Sequence, residues 1–83
     1  MNVTVKLYAL LGGYLPPNSR DNAADLRVVE GASVMDVIRQ LNLPLEHCHL
    51  VLVNGNFVPP SDRDARVLEQ GDALAIWPPI AGG

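Results

Sequence analysis

This 83-residue chain is short of several things that would otherwise define it. It has one cysteine, Cys48, so an internal disulfide is excluded and a reducing compartment is the natural setting. It has no apolar run near the roughly 20 residues that a membrane-spanning helix requires. Its first residues, Met1-Asn2-Val3-Thr4-Val5-Lys6, lack the basic-then-apolar layout of a signal peptide, so a cytoplasmic protein is expected. Five arginines are scattered at 20, 27, 39, 63 and 66 and the net charge is −3, leaving no basic stripe to neutralise phosphates. Nucleic acid and membrane are therefore not expected partners. Internal repeats and low-complexity segments are also missing. From Ala73 to Gly83 there is no charged side chain at all.

What is present suffices for one small domain over residues 1–83. A body of this size buries only about 60–65% of the surface of its unfolded chain, and the 48% hydrophobic content supplies that modest core. Val3, Val5 and Leu7 alternate with Thr4, Lys6 and Tyr8, the period of a half-buried strand. Gly12-Gly13 and Pro16-Pro17 break the run. The connection through residues 11–24 is too long for a tight hairpin, so an irregular loop or one helical turn is expected there. A second strand is predicted over Asp25–Glu30, with Leu26 and Val28 facing inward.

Ser33 opens the one convincing helix. It can cap the first turn, and Asp36 three residues later places a carboxylate where the helix dipole favours it. Val34, Val37, Ile38 and Leu41 form one apolar stripe, and Pro44 prevents continuation. A third strand is predicted over His49–Val53. Asn54-Gly55 then signals a hairpin, Phe57 and Val58 begin a short return strand, and Pro59-Pro60 stop it. Ser61–Gln70 reads as a polar connection with Val67 and Leu68 tucked beneath it. The last strand is predicted over Ala73–Trp77, with Leu74 and Ile76 on one face. The order β-β-α-β-β-β implies an α+β fold: a mixed sheet of about five strands with one helix across it. The economical closure sets the first and last strands parallel at the centre, the β-grasp or ubiquitin-like arrangement.

Catalytic groupings are hard to assemble. Glu46-His47-Cys48-His49 carries metal-binding residue types, but four consecutive side chains diverge and no second Cys or His cluster exists, so no metal is expected. Gly12-Gly13 lacks the remainder of a phosphate-cradling fingerprint. Asp62 and Asp64 sit in a polar loop and read as solvated surface. No nucleophile, base and orienting group converge, and no catalytic residue is expected.

The tail is where the chemistry points. Ile76-Trp77-Pro78-Pro79-Ile80-Ala81-Gly82-Gly83 reads as a strand end followed by a stiff arm and a slender tip. Gly82 and Gly83 have no side chains to obstruct a narrow channel, and the terminal carboxylate is their one chemical handle. The four residues beyond Pro79 reach about 13–14 Å when extended. Pro78 and Pro79 stiffen the arm and lower the ordering cost of insertion into a partner. Trp77 should project opposite to Ile76 and offers a partner anchor; packing beneath a loop of its own domain is the competing reading.

That ending, with the preceding Glu69-Gln70-Gly71-Asp72-Ala73-Leu74-Ala75 and with Val53-Asn54-Gly55 after the third strand, resembles the MoaD/ThiS sulfur carriers. It is most similar to MoaD, the small subunit of molybdopterin synthase. Gly12-Gly13 and Pro16-Pro17 depart from the short helix that MoaD proteins often have there. The resemblance implies that the Gly83 carboxylate is adenylated and converted to a thiocarboxylate. Pro78, Pro79, Ile80, Ala81 and Gly82 would thread the tail, and Trp77 would contact the partner. It implies an ATP-dependent activating enzyme of the MoeB/ThiF type, a sulfur donor protein and a large subunit of the MoaE type. It further implies a carrier with no permanently bound cofactor that is not itself an enzyme. Three alternatives remain open: a ThiS-like carrier for thiamin or tRNA thiolation, a ubiquitin-like modifier attached through Gly83, and a passive β-grasp interaction module whose terminus is inert. Lys6, the single lysine, argues against chain building by a modifier.

Overall fold

The computed structural model describes residues 1–79; the expectations for Ile80, Ala81, Gly82 and Gly83 lie outside them. Five strands and one α-helix follow in the order β1 (Asn2–Leu7), β2 (Ala23–Arg27), α1 (Val34–Gln40), β3 (Leu50–Val53), β4 (Asn56–Phe57) and β5 (Ala73–Trp77). They form one mixed sheet of order β2-β1-β5-β3-β4. β1 and β5 run parallel in register Val5↔Leu74 and Leu7↔Ile76, while β2 and β3 flank them antiparallel. This is the expected α+β β-grasp.

Strand alternation sorts the side chains. Val3, Val5, Leu7, Val51, Val53, Leu74 and Ile76 are buried beneath α1, which returns Val34, Val37 and Ile38. Each such side chain contributes roughly 1.5–3 kcal/mol by leaving water. The helix begins as its residues dictate. Ser33 accepts from the Asp36 N–H at 3.1 Å, and Asp36 accepts from the Ser33 N–H at 2.9 Å, a reciprocal capping box. That second bond, before any other influence, holds the Asp36 carboxyl below the usual carboxylate range.

Some expectations are corrected. β2 begins at Ala23, two residues earlier than predicted, because Asp21 and Asn22 take left-handed backbone (φ 53° and 65°) and reverse the chain just before it. Val28 is buried as expected, but it lies past the end of the strand, and Leu26 is only half-buried. The helical turn expected as one of two readings of the 11–24 connection is present, as a 3-10 helix over Ala9–Tyr14, so Gly12-Gly13 is no departure from a short helix in this region. Leu68 is buried, whereas Val67 is 47% exposed: its backbone bridges to Ser33, and the alternation turns its side chain outward.

Candidate functional site

The site under test is the root of the C-terminal arm. β5 lies in the middle of the sheet, hydrogen-bonded to β1 on one side and β3 on the other, so its direction is set by two neighbours. Leu74 and Ile76 are fully buried. Ala73, Ala75 and Trp77 occupy the opposite face, away from α1. Beyond Trp77, Pro78 is half-buried and Pro79 exposed.

Trp77 does point to the outer face, as the alternation requires, but it is half-buried and not a free anchor. Its ring stacks on Tyr8, with centroids 4.3 Å apart and planes 4° from parallel. The register explains the encounter. Leu7 pairs with Ile76 across the parallel ladder, which sets Tyr8 beside Trp77, and the Tyr8 N–H donates to the Ile76 carbonyl at 3.2 Å. On the other flank Leu50 is the register partner of Trp77, and the His49 N–H donates to the Trp77 carbonyl at 3.0 Å. Sequence reasoning placed Tyr8 on the outer face of β1, but not against Trp77. The signal available was that both aromatics end adjacent parallel strands on the same face.

The sheet's outer face is apolar around this point. Tyr8, Leu50, Leu52, Ala75 and Trp77 form a continuous patch, with Phe57 (57% exposed) at the β4 edge and in register with Leu52. Leu10, on the 3-10 helix after Tyr8, is a further apolar side chain, 81% exposed. Lys6 is exposed on the same face in register with Ala75.

The Glu46-His47-Cys48-His49 stretch is dispersed. Glu46 and His47 lie exposed in a 3-10 turn, Leu45–His47, and His49 is exposed on the approach to β3. Cys48 alone is buried, its thiol 3.4 Å from the Pro44 carbonyl. Burial pushes that thiol upward, with Arg63 opposing more weakly, so Cys48 is a poor nucleophile. Among the described residues no three His, Cys, Asp or Glu side chains come together as a metal site. Asp64 pairs with Arg39 at 3.6 Å on the surface and the Asp62 carboxylate accepts from the Ser61 hydroxyl at 3.5 Å, so the two share no acid–base arrangement.

Arg63 was not anticipated as a structural residue. Only 4% exposed, it donates to the Cys48 carbonyl at 2.9 Å and to the His49 carbonyl at 3.4 Å, leaving its Nε without a partner. A buried guanidinium held by carbonyls, with no carboxylate within ion-pair distance among the described residues, clamps the 60–68 loop onto the start of β3. Through the His49–Trp77 hydrogen bond that clamp bears on the root of the arm.

Comparisons with known proteins agree with this geometry. No curated protein matches the sequence. Among solved structures, the Haloferax volcanii protein HVO 2177 is similar at 28% identity and TM-score 0.78, over 100% of this chain and 87% of that one. The thiamine biosynthesis protein ThiS of Geobacter metallireducens shares the fold at 20% identity and TM-score 0.67, with both chains covered completely. So does a chain of the complex between subunits 1 and 2 of molybdopterin-converting factor from Helicobacter pylori, at 16% identity and TM-score 0.63, again over the whole of both chains. The expected kinship with MoaD- and ThiS-type proteins is thus met in the fold, without preference for the MoaD side. Residues 1–81 match the family model described as Mut7-C ubiquitin, and the chain belongs to that family of ubiquitin-like β-grasp proteins.

Proposed function

We propose that the protein is a sulfur carrier whose reacting group is the Gly83 carboxylate. The observation that carries this reading is the placement of β5: the strand leading to Pro78-Pro79 is the central one, so the arm is rooted in the most constrained part of the sheet. The fold shared with ThiS and with a molybdopterin-converting factor subunit supports it. So does the Pro-Pro-Ile-Ala-Gly-Gly ending.

A carboxylate is a poor acyl donor because its oxygen is a poor leaving group. In the proposed cycle an ATP-dependent activating enzyme lets a Gly83 oxygen attack the α-phosphorus, expelling pyrophosphate and forming an acyl adenylate. The terminal sulfur of a donor protein's persulfide then attacks the carbonyl carbon and AMP leaves, giving an acyl disulfide. A second thiolate of the donor or the activating enzyme attacks the donor's inner sulfur, forms a disulfide with it and releases the thiocarboxylate. The carrier supplies no catalytic side chain. It presents a narrow tip: Gly82 and Gly83 lack Cβ, and Pro78 and Pro79 reduce the freedom lost on insertion. The proposed recipient is the pterin precursor of the molybdenum or tungsten cofactor, bound by a large subunit of the MoaE type. The proposed setting is the cytoplasm, which suits a cycle that consumes ATP.

The test is co-expression with a cognate activating enzyme and sulfur donor. Intact mass spectrometry should show one oxygen replaced by sulfur at Gly83. Deleting Gly83 should leave folding unchanged and abolish the exchange; sulfur incorporation that persists in the deletion variant rejects the proposal.

A further inference from the structure

We infer that Tyr8 is a positioning residue for the C-terminal arm, acting through its stack on Trp77. The inference rests on the sulfur-carrier reading and names what aims the arm in that reading. Three observations converge at this point. The two rings are parallel within 4° at 4.3 Å, so rotation of the Trp77 side chain about its first two torsions is blocked on one face. The carbonyl groups of Ile76 and Trp77 are both engaged, by Tyr8 N–H and His49 N–H, so the last strand residues before Pro78 are held from both flanks. Directly after Tyr8, Ala9 takes φ 53°, a left-handed backbone that a Cβ-bearing residue enters only at a cost. That reversal ends β1 at once and starts the 3-10 helix, whose Leu11 N–H donates back to the Tyr8 carbonyl at 3.1 Å. The chain thus accepts an unfavourable conformation beside the residue that braces Trp77.

A brace here has a mechanical consequence. Pro78 and Pro79 each have a nearly fixed φ, so the direction in which they project is inherited from the Trp77 residue before them. Fixing Trp77 therefore sets the direction in which Pro78 and Pro79 leave the sheet, so a partner meets the root of the arm in one orientation instead of many. Tyr8 does not touch the reacting carboxylate; its effect passes through Trp77. The stack also covers one face of the indole, so a partner has only the other face and the ring edge to use.

The experiment measures pyrophosphate release by a cognate activating enzyme as carrier concentration is varied, for the full chain and for Tyr8→Phe, Tyr8→Leu and Tyr8→Ala. Alongside it, time-resolved fluorescence anisotropy follows Trp77, the single tryptophan. Tyr8→Phe keeps the ring and should match the parent in both readouts. Tyr8→Leu keeps apolar bulk without a stacking plane, and Tyr8→Ala removes both. Each should give Trp77 added local motion and raise KM roughly three- to tenfold, the range an aromatic pair contributes, with kcat unchanged. If Tyr8→Ala does not fold, Tyr8→Leu decides. A mobile Trp77 with unchanged KM overturns the inference, as does a Tyr8→Phe variant that behaves like Tyr8→Leu. A parent chain that is never adenylated removes the sulfur-carrier reading itself, an outcome distinct from a parent that is activated and variants that match it.

Discussion

At its start β5 is tied down by polar groups, and at its end by rings. Asn54 donates its amide to Asp72 at 2.9 Å and accepts from the Ala73 N–H at 2.9 Å. Asp72 in turn accepts from the Glu69 N–H at 2.8 Å, while its own carbonyl receives the Thr4 N–H. Gly55 and Gly71, both with φ above 80°, make the two turns that bring these groups together. Five residues later the side chains around the strand are Tyr8, Trp77 and Leu50, and charged groups have given way to an apolar surface. Hydrogen-bond networks specify register, and an apolar aromatic surface offers contact area to something else. The first end holds the sheet together; the second is the end a partner would meet.

The comparison can be broken by substitution, and the largest effect should ignore it. Ile76→Ala and Leu74→Ala empty fully buried positions near opposite ends of β5, so each should cost about 2–5 kcal/mol in chemical denaturation. A large difference between the two would mean that the core, and not the surface, distinguishes the ends. Next is Asn54→Ala, which removes two hydrogen bonds and puts alanine at φ 50°. It should cost roughly 1–3 kcal/mol while leaving the KM of the activating enzyme unchanged. Trp77→Ala should show the reverse weighting, with a stability loss smaller than that of Ile76→Ala and a clear rise in KM. Ser33→Ala, remote from both ends, should cost about 1 kcal/mol by removing the helix cap, with activation untouched.

The smallest effect is a pH dependence belonging to the polar end. The Glu69 N–H, followed by the Asn54 amide, holds the Asp72 carboxyl below the usual range. Because its native pKa is lower than its unfolded one, Asp72 contributes stability that is present above about pH 4 and lost as pH falls through the native value. Denaturation midpoints measured on either side of that point should show a shallower acid slope in Asp72→Asn. Some slope should persist, since Asp36 is depressed in the same way.

Features encoded by residues close in sequence were readable from it. Ser33 and Asp36 announce a helix start, Asn54-Gly55 a hairpin, and the alternation around Leu74 and Ile76 a strand whose observed limits match those predicted. The β-grasp order followed from the same local signals and the handedness of the crossover. Features that depend on residues far apart were not readable. Arg63 lies in a polar loop by every local measure, and only its reach to the Cys48 and His49 carbonyls makes it a buried clamp. The start of β2 depended on Asp21 and Asn22 accepting left-handed backbone, which their composition permits without requiring. At the site, the outward face of Trp77 was legible and its capping by Tyr8 was not, because 69 positions of chain separate the two rings.

The strand order carries a consequence for biosynthesis. A ribosome makes β1, β2, β3 and β4 first, and in the finished sheet these are two antiparallel pairs at the outer sides, with the slot between them filled by β5. The strand that fills the slot is the last of the five to emerge, so the two pairs cannot be joined until Trp77 has left the exit tunnel. Closure of the core and delivery of the arm are therefore one late event, and a chain interrupted before residue 73 would have neither.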